Sequence, residues 1–166
     1  MQLKLSKKTY YVLGAIAGAL SLVQAVAAVA GLGMSLLDSV AFGCTGLMLL
    51  FLASVKGTPM GDKKRLFGSF LLLVGSMFFN IPLLQIVLMS LVWPSFALLE
   101  KNRDERLAMP CRAVFAGDFL WMGMRILAEL GEVSTLALPS NLAGMLAAAA
   151  RLWLSVCLYK RERDER

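Results

Sequence analysis

Apolar residues fall along this chain in long blocks, and polar residues gather between the blocks instead of alternating with them. About 20 apolar residues in a helix cross a hydrocarbon core about 30 Å thick. Tyr10–Ala30 is the first such block and Leu36–Val55 the second. Ser35-Leu-Leu-Asp38 introduces the second with the spacing of a capping box, so Asp38 reads as a helix cap rather than a ligand. The third block, Leu66–Leu99, would reach about 51 Å as one helix, too far for a single crossing. Phe79-Asn80-Ile81-Pro82 interrupts it, because proline disfavours helical geometry in the residue before it. It therefore divides into two short spans, 66–80 and 82–99. Leu107–Leu130 and Pro139–Tyr159 bring the expected number to six.

The N-terminal 31 residues also have the outline of a cleaved signal peptide, with a basic start, an apolar stretch and Ala25-Val26-Ala27. The apolar run continues past that site, so the segment is retained as a helix.

Composition changes the picture in one respect: lipid becomes the main solvent. The chain is 58% hydrophobic and 17% charged, with a mean hydropathy of +0.71. Soluble domains run at about 45–50% apolar and about 25% charged. A net charge of +6 could point to nucleic acid, but the basic residues form short blocks between apolar runs. Lys4, Lys7 and Lys8 precede span one; Lys56, Lys63, Lys64 and Arg65 follow span two. Lys101, Arg103 and Arg106 follow span four; Lys160, Arg161, Arg163 and Arg166 follow span six. The opposite loops, around 31–35, 80–82 and 131–138, hold no Lys or Arg. By the positive-inside rule both termini are cytoplasmic and nucleic acid is not a partner.

The expected fold is thus an all-α integral membrane protein of six helices. It is a single transmembrane domain over 1–166 that ends in a charged cytoplasmic tail at 160–166. Arg103-Asp-Glu-Arg106 and Arg163-Asp-Glu-Arg166 read as solvated helix extensions. Histidine is absent, which removes the usual haem ligand and the commonest general base. Cys44, Cys111 and Cys157 lie inside apolar runs without C-x-x-C spacing, so they read as small buried hydrophobes. No cofactor or metal is expected. No G-x-S-x-G, H-E-x-x-H or Walker sequence appears, and no enzyme is expected either.

The candidate chemistry lies in span five and its neighbour. A charge at mid-membrane is costly and is usually kept for a reason. At about 100° per residue, Asp118, Met122, Arg125 and Glu129 share one stripe of a helix, while Arg112 sits near the cytoplasmic end, where it can snorkel. Arg125 and Glu129 can pair along their helix, but Asp118 has no basic residue three or four positions away. If spans five and six turn near 134–135, Arg151 stands at the depth of Asp118, and the two are expected to form a bridge. Gln24, Asn80, Gln85 and Asn141 fall in the outer halves of their spans. With the charges they outline a polar cavity open to the outside, walled by spans one, four, five and six. Three readings stay open: a pair that only fixes helix register, a ligand pathway, or contact with a charged partner helix.

Small residues add a packing face. Gly14-x-x-x-Gly18, Ala15-x-x-x-Ala19 and Ser21-x-x-x-Ala25 let another helix approach span one, within the chain or from a partner, and Ala143-Gly144 with Ala147–Ala150 do so for span six. Trp93-Pro94 frees the Ser90 carbonyl in span four and suits a bent cavity wall.

From Arg112 through Arg125, a turn at Gly131, Asn141 and Ala150-Arg151-Leu152-Trp153, the chain resembles small bacterial inner-membrane proteins of the YgjV type. These are similar to the three-helix halves of PQ-loop and SWEET transporters. The Pro-Gln dipeptide of that group is missing, and Pro82-Leu-Leu-Gln85 stands nearest to it. Six short helices with small-residue spacing also resemble the substrate-binding subunits of energy-coupling vitamin importers. The resemblance implies a bacterial inner-membrane location and a small transporter or transporter subunit for a small polar solute. A non-catalytic subunit that assembles a larger membrane complex, or a homo-oligomer, is the alternative expectation.

Overall fold

The computed structural model describes residues 7–32, 35–131 and 134–164. Lys4, Glu165, Arg166 and residues 33–34 and 132–133 of two loops, which enter the patterns above, lie outside the described residues. Among the described residues every regular element is helical: α1 (Lys7–Val29), α2 (Ser35–Ser54), α3 (Met60–Phe78), α4 (Pro82–Arg103), α5 (Ala108–Gly131) and α6 (Ala137–Asp164). Short 3-10 turns at Glu105–Leu107 and Ser134–Leu136 lead into α5 and α6. α1, α2, α4 and α6 are long and apolar enough to cross a membrane. Large apolar side chains stay exposed around the outside, among them Ile16, Phe67, Leu71, Leu120, Leu127, Leu146 and Trp153. A surface of that kind suits lipid and not water.

Local chemistry sets the helix ends. After α1, Gly31 takes φ 75°, and the Leu32 and Gly31 amides donate to the Ala27 and Ala28 carbonyls. That is a glycine-terminated Schellman cap. Between α3 and α4, Phe79 and Ile81 are extended and Pro82 opens α4, where its missing amide proton costs nothing. The Gln85 side-chain amide donates to the Phe79 carbonyl at 2.6 Å and closes this turn. Hydroxyls inside the helices donate to a carbonyl one turn back, as Thr45 does to Ala41 and Ser90 to Ile86, which satisfies them without water.

Three boundaries differ from expectation. α3 starts at Met60, so Lys63, Lys64 and Arg65 are helical and not loop. α4 continues to Arg103, and α6 runs on to Asp164, so 160–164 is helix and not a loose tail. Hydropathy marks where lipid contact ends, whereas a helix can extend past that point.

Short connections turn the chain back at every step, so the helices alternate in direction. Each packs on its neighbours in sequence, and α6 returns to pack on α1, which closes a six-membered ring. The closure depends on glycine. A Cβ at Gly18 would stand 2.8 Å from the Leu152 backbone nitrogen, and one at Gly117 2.8 Å from the Ala147 Cα. All the basic blocks lie at one end of the ring, here the basic end; the other is the neutral end.

The ring is filled unevenly. Its buried apolar cluster comprises Tyr11 and Ala17 of α1, Met48, Leu49 and Leu52 of α2, Trp93, Phe96 and Ala97 of α4, Val114 of α5, and Leu154 and Leu158 of α6, with others beside them. Most belong to the half of their helix nearer the basic end. That half is plugged by side chains.

Candidate functional site

Above the plug, toward the neutral end, the ring encloses a cavity of about 360 Å³ lined by all six helices. Trp93, Val92 and Leu73 belong to both the apolar cluster and the cavity lining, and so form its floor. The walls carry Ser21 and Gln24 from α1, Asp38, Phe42 and Thr45 from α2, Trp121 and Arg125 from α5, and Asn141, Gly144 and Arg151 from α6. Pro94 lies buried within α4 next to the floor residue Trp93.

Arg151 is the deepest charge in this wall, about two turns of helix below Gly144 toward the plug. Its guanidinium donates to the Asp118 carboxylate of α5, which is fully buried, while Arg151 keeps 17% of its side chain exposed. Small residues permit the pairing: with no side chain, Gly117 lets α6 come close enough for Arg151 to reach across. One carboxylate oxygen of Asp118 (Oδ2), Arg151 Nε, Gln24 Oε1 and Ser140 Oγ are buried without a hydrogen-bond partner among the described residues. Buried polar groups are nearly always satisfied, and two of these four, on Gln24 and Arg151, belong to residues that line the cavity.

Arg125 lies nearer the mouth, about two turns of α5 beyond Asp118, and is partly exposed. Its guanidinium is 3.9 Å from Glu129, with side-chain exposures of 44% and 41%. At that exposure the pair is screened and holds neither partner firmly. Glu129 does not line the cavity. Asn141 does, and its amide donates to the Ala28 carbonyl at 3.4 Å, tying α6 to α1 at the mouth.

Several expected site residues lie elsewhere. Asn80 is exposed in the α3–α4 turn, and Gln85 spends its amide on that turn; neither lines the cavity. Both precede the part of α4 that lines the cavity, which begins at Met89. Arg112 is exposed near the basic end. Gly14 and Gly18 are buried: a Cβ at Gly14 would meet Met48 Sδ at 2.5 Å and Ser155 Oγ at 2.9 Å. α2 and α6 already occupy this face, while Ala15 and Ala19 are half-buried at its edge.

Other residues were missed by the sequence reading. Asp38 makes no capping bond among the described residues and lines the cavity instead. With Ala41, Phe42 and Thr45 it forms an i, i+3, i+4, i+7 face, whose mixture of polar and apolar residues gives no amphipathic signal in the sequence. A second charged cluster lies in the plug. Glu100 is 1% exposed and accepts from Arg103 at 2.9 Å, from Arg161 at 3.1 Å and from the Tyr11 hydroxyl at 3.4 Å. Arg103 also donates to Asp62 at 2.8 Å, so α1, α3, α4 and α6 are joined at the basic end. The charged blocks around 100–106 and 160–164 are therefore only partly solvated, because both arginines turn back to neutralise a buried carboxylate. Cys111 is fully buried in the same apolar cluster, and the three cysteines are free thiols.

Among the described residues no group of His, Cys, Asp and Glu could hold a metal ion. Comparison of the chain with protein-family models, curated proteins and solved structures finds no match.

Proposed function

We propose that this is a six-span transport protein, or the solute-binding subunit of one, with both termini in the cytoplasm. It takes a small polar solute into the ring from the outer face. The observation that carries this reading is the uneven filling of the ring, closed by apolar packing and the Glu100 cluster at the basic end and open to a charged cavity at the other. A chain that needed its buried charges only for register would have no use for a cavity around them. The proposed inner-membrane location rests on the resemblance given above, while the basic ends bear on orientation alone.

Connectivity supports six spans. α2 ends at the basic end and α4 starts at the neutral end, so α3 must cross between them. By the same reasoning α5 must cross between α4 and α6. The charges in α3 stand in its first two turns, at the basic end, and those of α5 that lie deeper face the cavity or a partner. Intramembrane ionisable residues that face a bundle interior mark solute and ion pathways. Nothing favours the assembly-subunit reading to the same degree, since the Gly14–Gly18 face that motivated it is filled by α2 and α6.

The test is native mass spectrometry of protein extracted gently from its own membrane, followed by uptake of any released molecule into vesicles bearing the protein. Transport predicts a monomer or homodimer that releases one small polar compound and vesicles that take it up. A stoichiometric second polypeptide with no uptake by the purified chain would overturn transport by this chain alone.

A further inference from the structure

We infer that the cavity selects a small zwitterion, holding an ammonium group at Asp38 and a carboxylate at Arg125. This inference rests on the transport reading and adds the chemical class of the solute. In a ring of six, α2 and α5 are three places apart, so Asp38 and Arg125 stand on opposing walls. They form no ion pair with each other. Among the described residues Asp38 has no ion-pair partner, and Arg125 has only the long, exposed contact to Glu129. Two opposite charges thus face one space from opposite sides, and neither is neutralised by the other.

Deeper polar atoms add unmet hydrogen-bonding groups on both sides. On the α1–α2 side Gln24 lies beside Asp38, and its carbonyl oxygen is a buried acceptor without a donor. On the α5–α6 side Arg151 Nε is a buried donor without an acceptor, and Asp118 Oδ2 a buried acceptor without a donor. Because Arg151 is neutralised by Asp118, the charges left without a firm partner are Asp38 on one wall and Arg125 on the other. Phe42, Trp93 and Trp121 supply aromatic surface between the two poles, and an aromatic face also attracts an ammonium group. The cavity of about 360 Å³ lies near the lower limit of ligand pockets, about 300–1,000 Å³, which sets the solute as small.

Other classes fit less well. A simple anion would meet Asp38 across the cavity, and a simple cation would meet Arg125. A neutral polyol would give neither charge a counter-charge, and so would gain nothing from either wall. Only a solute carrying both charges satisfies both walls. Discrimination against the others comes from the unpaired charge that each leaves behind.

The experiment uses the full chain purified in detergent micelles. Neutral α-amino acids from glycine to phenylalanine are the probes, each compared with the amine and the carboxylate of matching carbon skeleton. Binding is read by calorimetry and by the shift in unfolding temperature. The expected result is at least one amino acid that binds tenfold or more tighter than either matched half. Asp38→Asn should then lose affinity for the amino acid tenfold or more while leaving the carboxylate unaffected or tighter. Arg125→Gln should show the mirror image, sparing the amine. Both positions are exposed enough at the mouth for these variants to fold, which circular dichroism checks. A matched amine or carboxylate that binds as tightly as the amino acid would overturn the inference, as would variants that weaken all three probes equally. If none of the panel binds, and the solute released from the native protein is an uncharged or singly charged compound, the zwitterion fails and transport stands. If no solute is released or taken up either, both fail.

Discussion

The Asp118–Arg151 pair makes an asymmetric prediction. Asp118 is fully buried, whereas Arg151 keeps 17% of its side chain exposed, at the cavity. Arg151→Met leaves a carboxylate in the bundle interior with no counter-charge. Stranding one partner of a buried pair costs about 3–5 kcal/mol. Asp118→Val leaves a guanidinium that still reaches the cavity, so the loss is that of a hydrogen bond to a charged group, about 1.5–3 kcal/mol. Arg151→Met should therefore be the more damaging by about 2 kcal/mol. Removing both charges removes the reason for either penalty, so the double variant should lie within about 1 kcal/mol of the parent. Reversible unfolding in mixed micelles, followed by circular dichroism, measures all three. Losses that simply add in the double variant, or an Asp118→Val loss as large as that of Arg151→Met, would refute this account of the pair. The double variant also separates stability from function: it should accumulate in the membrane and fail to transport.

Three further predictions concern the ring. Gly18→Ala forces a methyl group to 2.8 Å from the Leu152 backbone nitrogen and should cost about 1–3 kcal/mol in the same unfolding assay. Gly43→Ala, where a Cβ would meet nothing within 4 Å, should instead stabilise by about 0.5–1 kcal/mol. Glu100→Gln strips the charge that holds Arg103 and Arg161 against the plug, and should cost about 3 kcal/mol. It should also raise the alkylation rate of the buried Cys111 by a small membrane-permeant reagent; an unchanged rate would mean that the cluster does not keep this end closed.

Depth along the membrane was legible in the sequence. The apolar blocks gave six helices, Phe79–Pro82 gave the break between α3 and α4, and counting back from the α5–α6 turn brought Asp118 level with Arg151. Rotation about each helix axis was not legible. These helices are apolar on the lipid side and on the inner side alike, so hydropathy carries little amphipathic signal to say which face points inward. That is why the α2 wall, with Asp38 and Thr45, carries no sign in the sequence. Asn80 and Gln85 miss the cavity for another reason: they stand at the α3–α4 turn, before α4 reaches the cavity lining at Met89. Glu100 was hidden for a different reason: beside Lys101 and Arg103 it looks like any charged residue beyond the end of a span, and only the return of Arg161 from the far end of the chain reveals it as buried.

The central claim is a ring open to the outer face and plugged toward the cytoplasm. Its most direct test is the accessibility of single cysteines in a background lacking Cys44, Cys111 and Cys157. Ser21→Cys in the cavity wall and Ala97→Cys in the plug are the informative pair. In membrane vesicles of defined orientation, a small membrane-impermeant thiosulfonate should modify Ser21→Cys from the outer side only and leave Ala97→Cys untouched from both sides. Modification of Ser21→Cys from the cytoplasmic side, or from neither, would contradict the account.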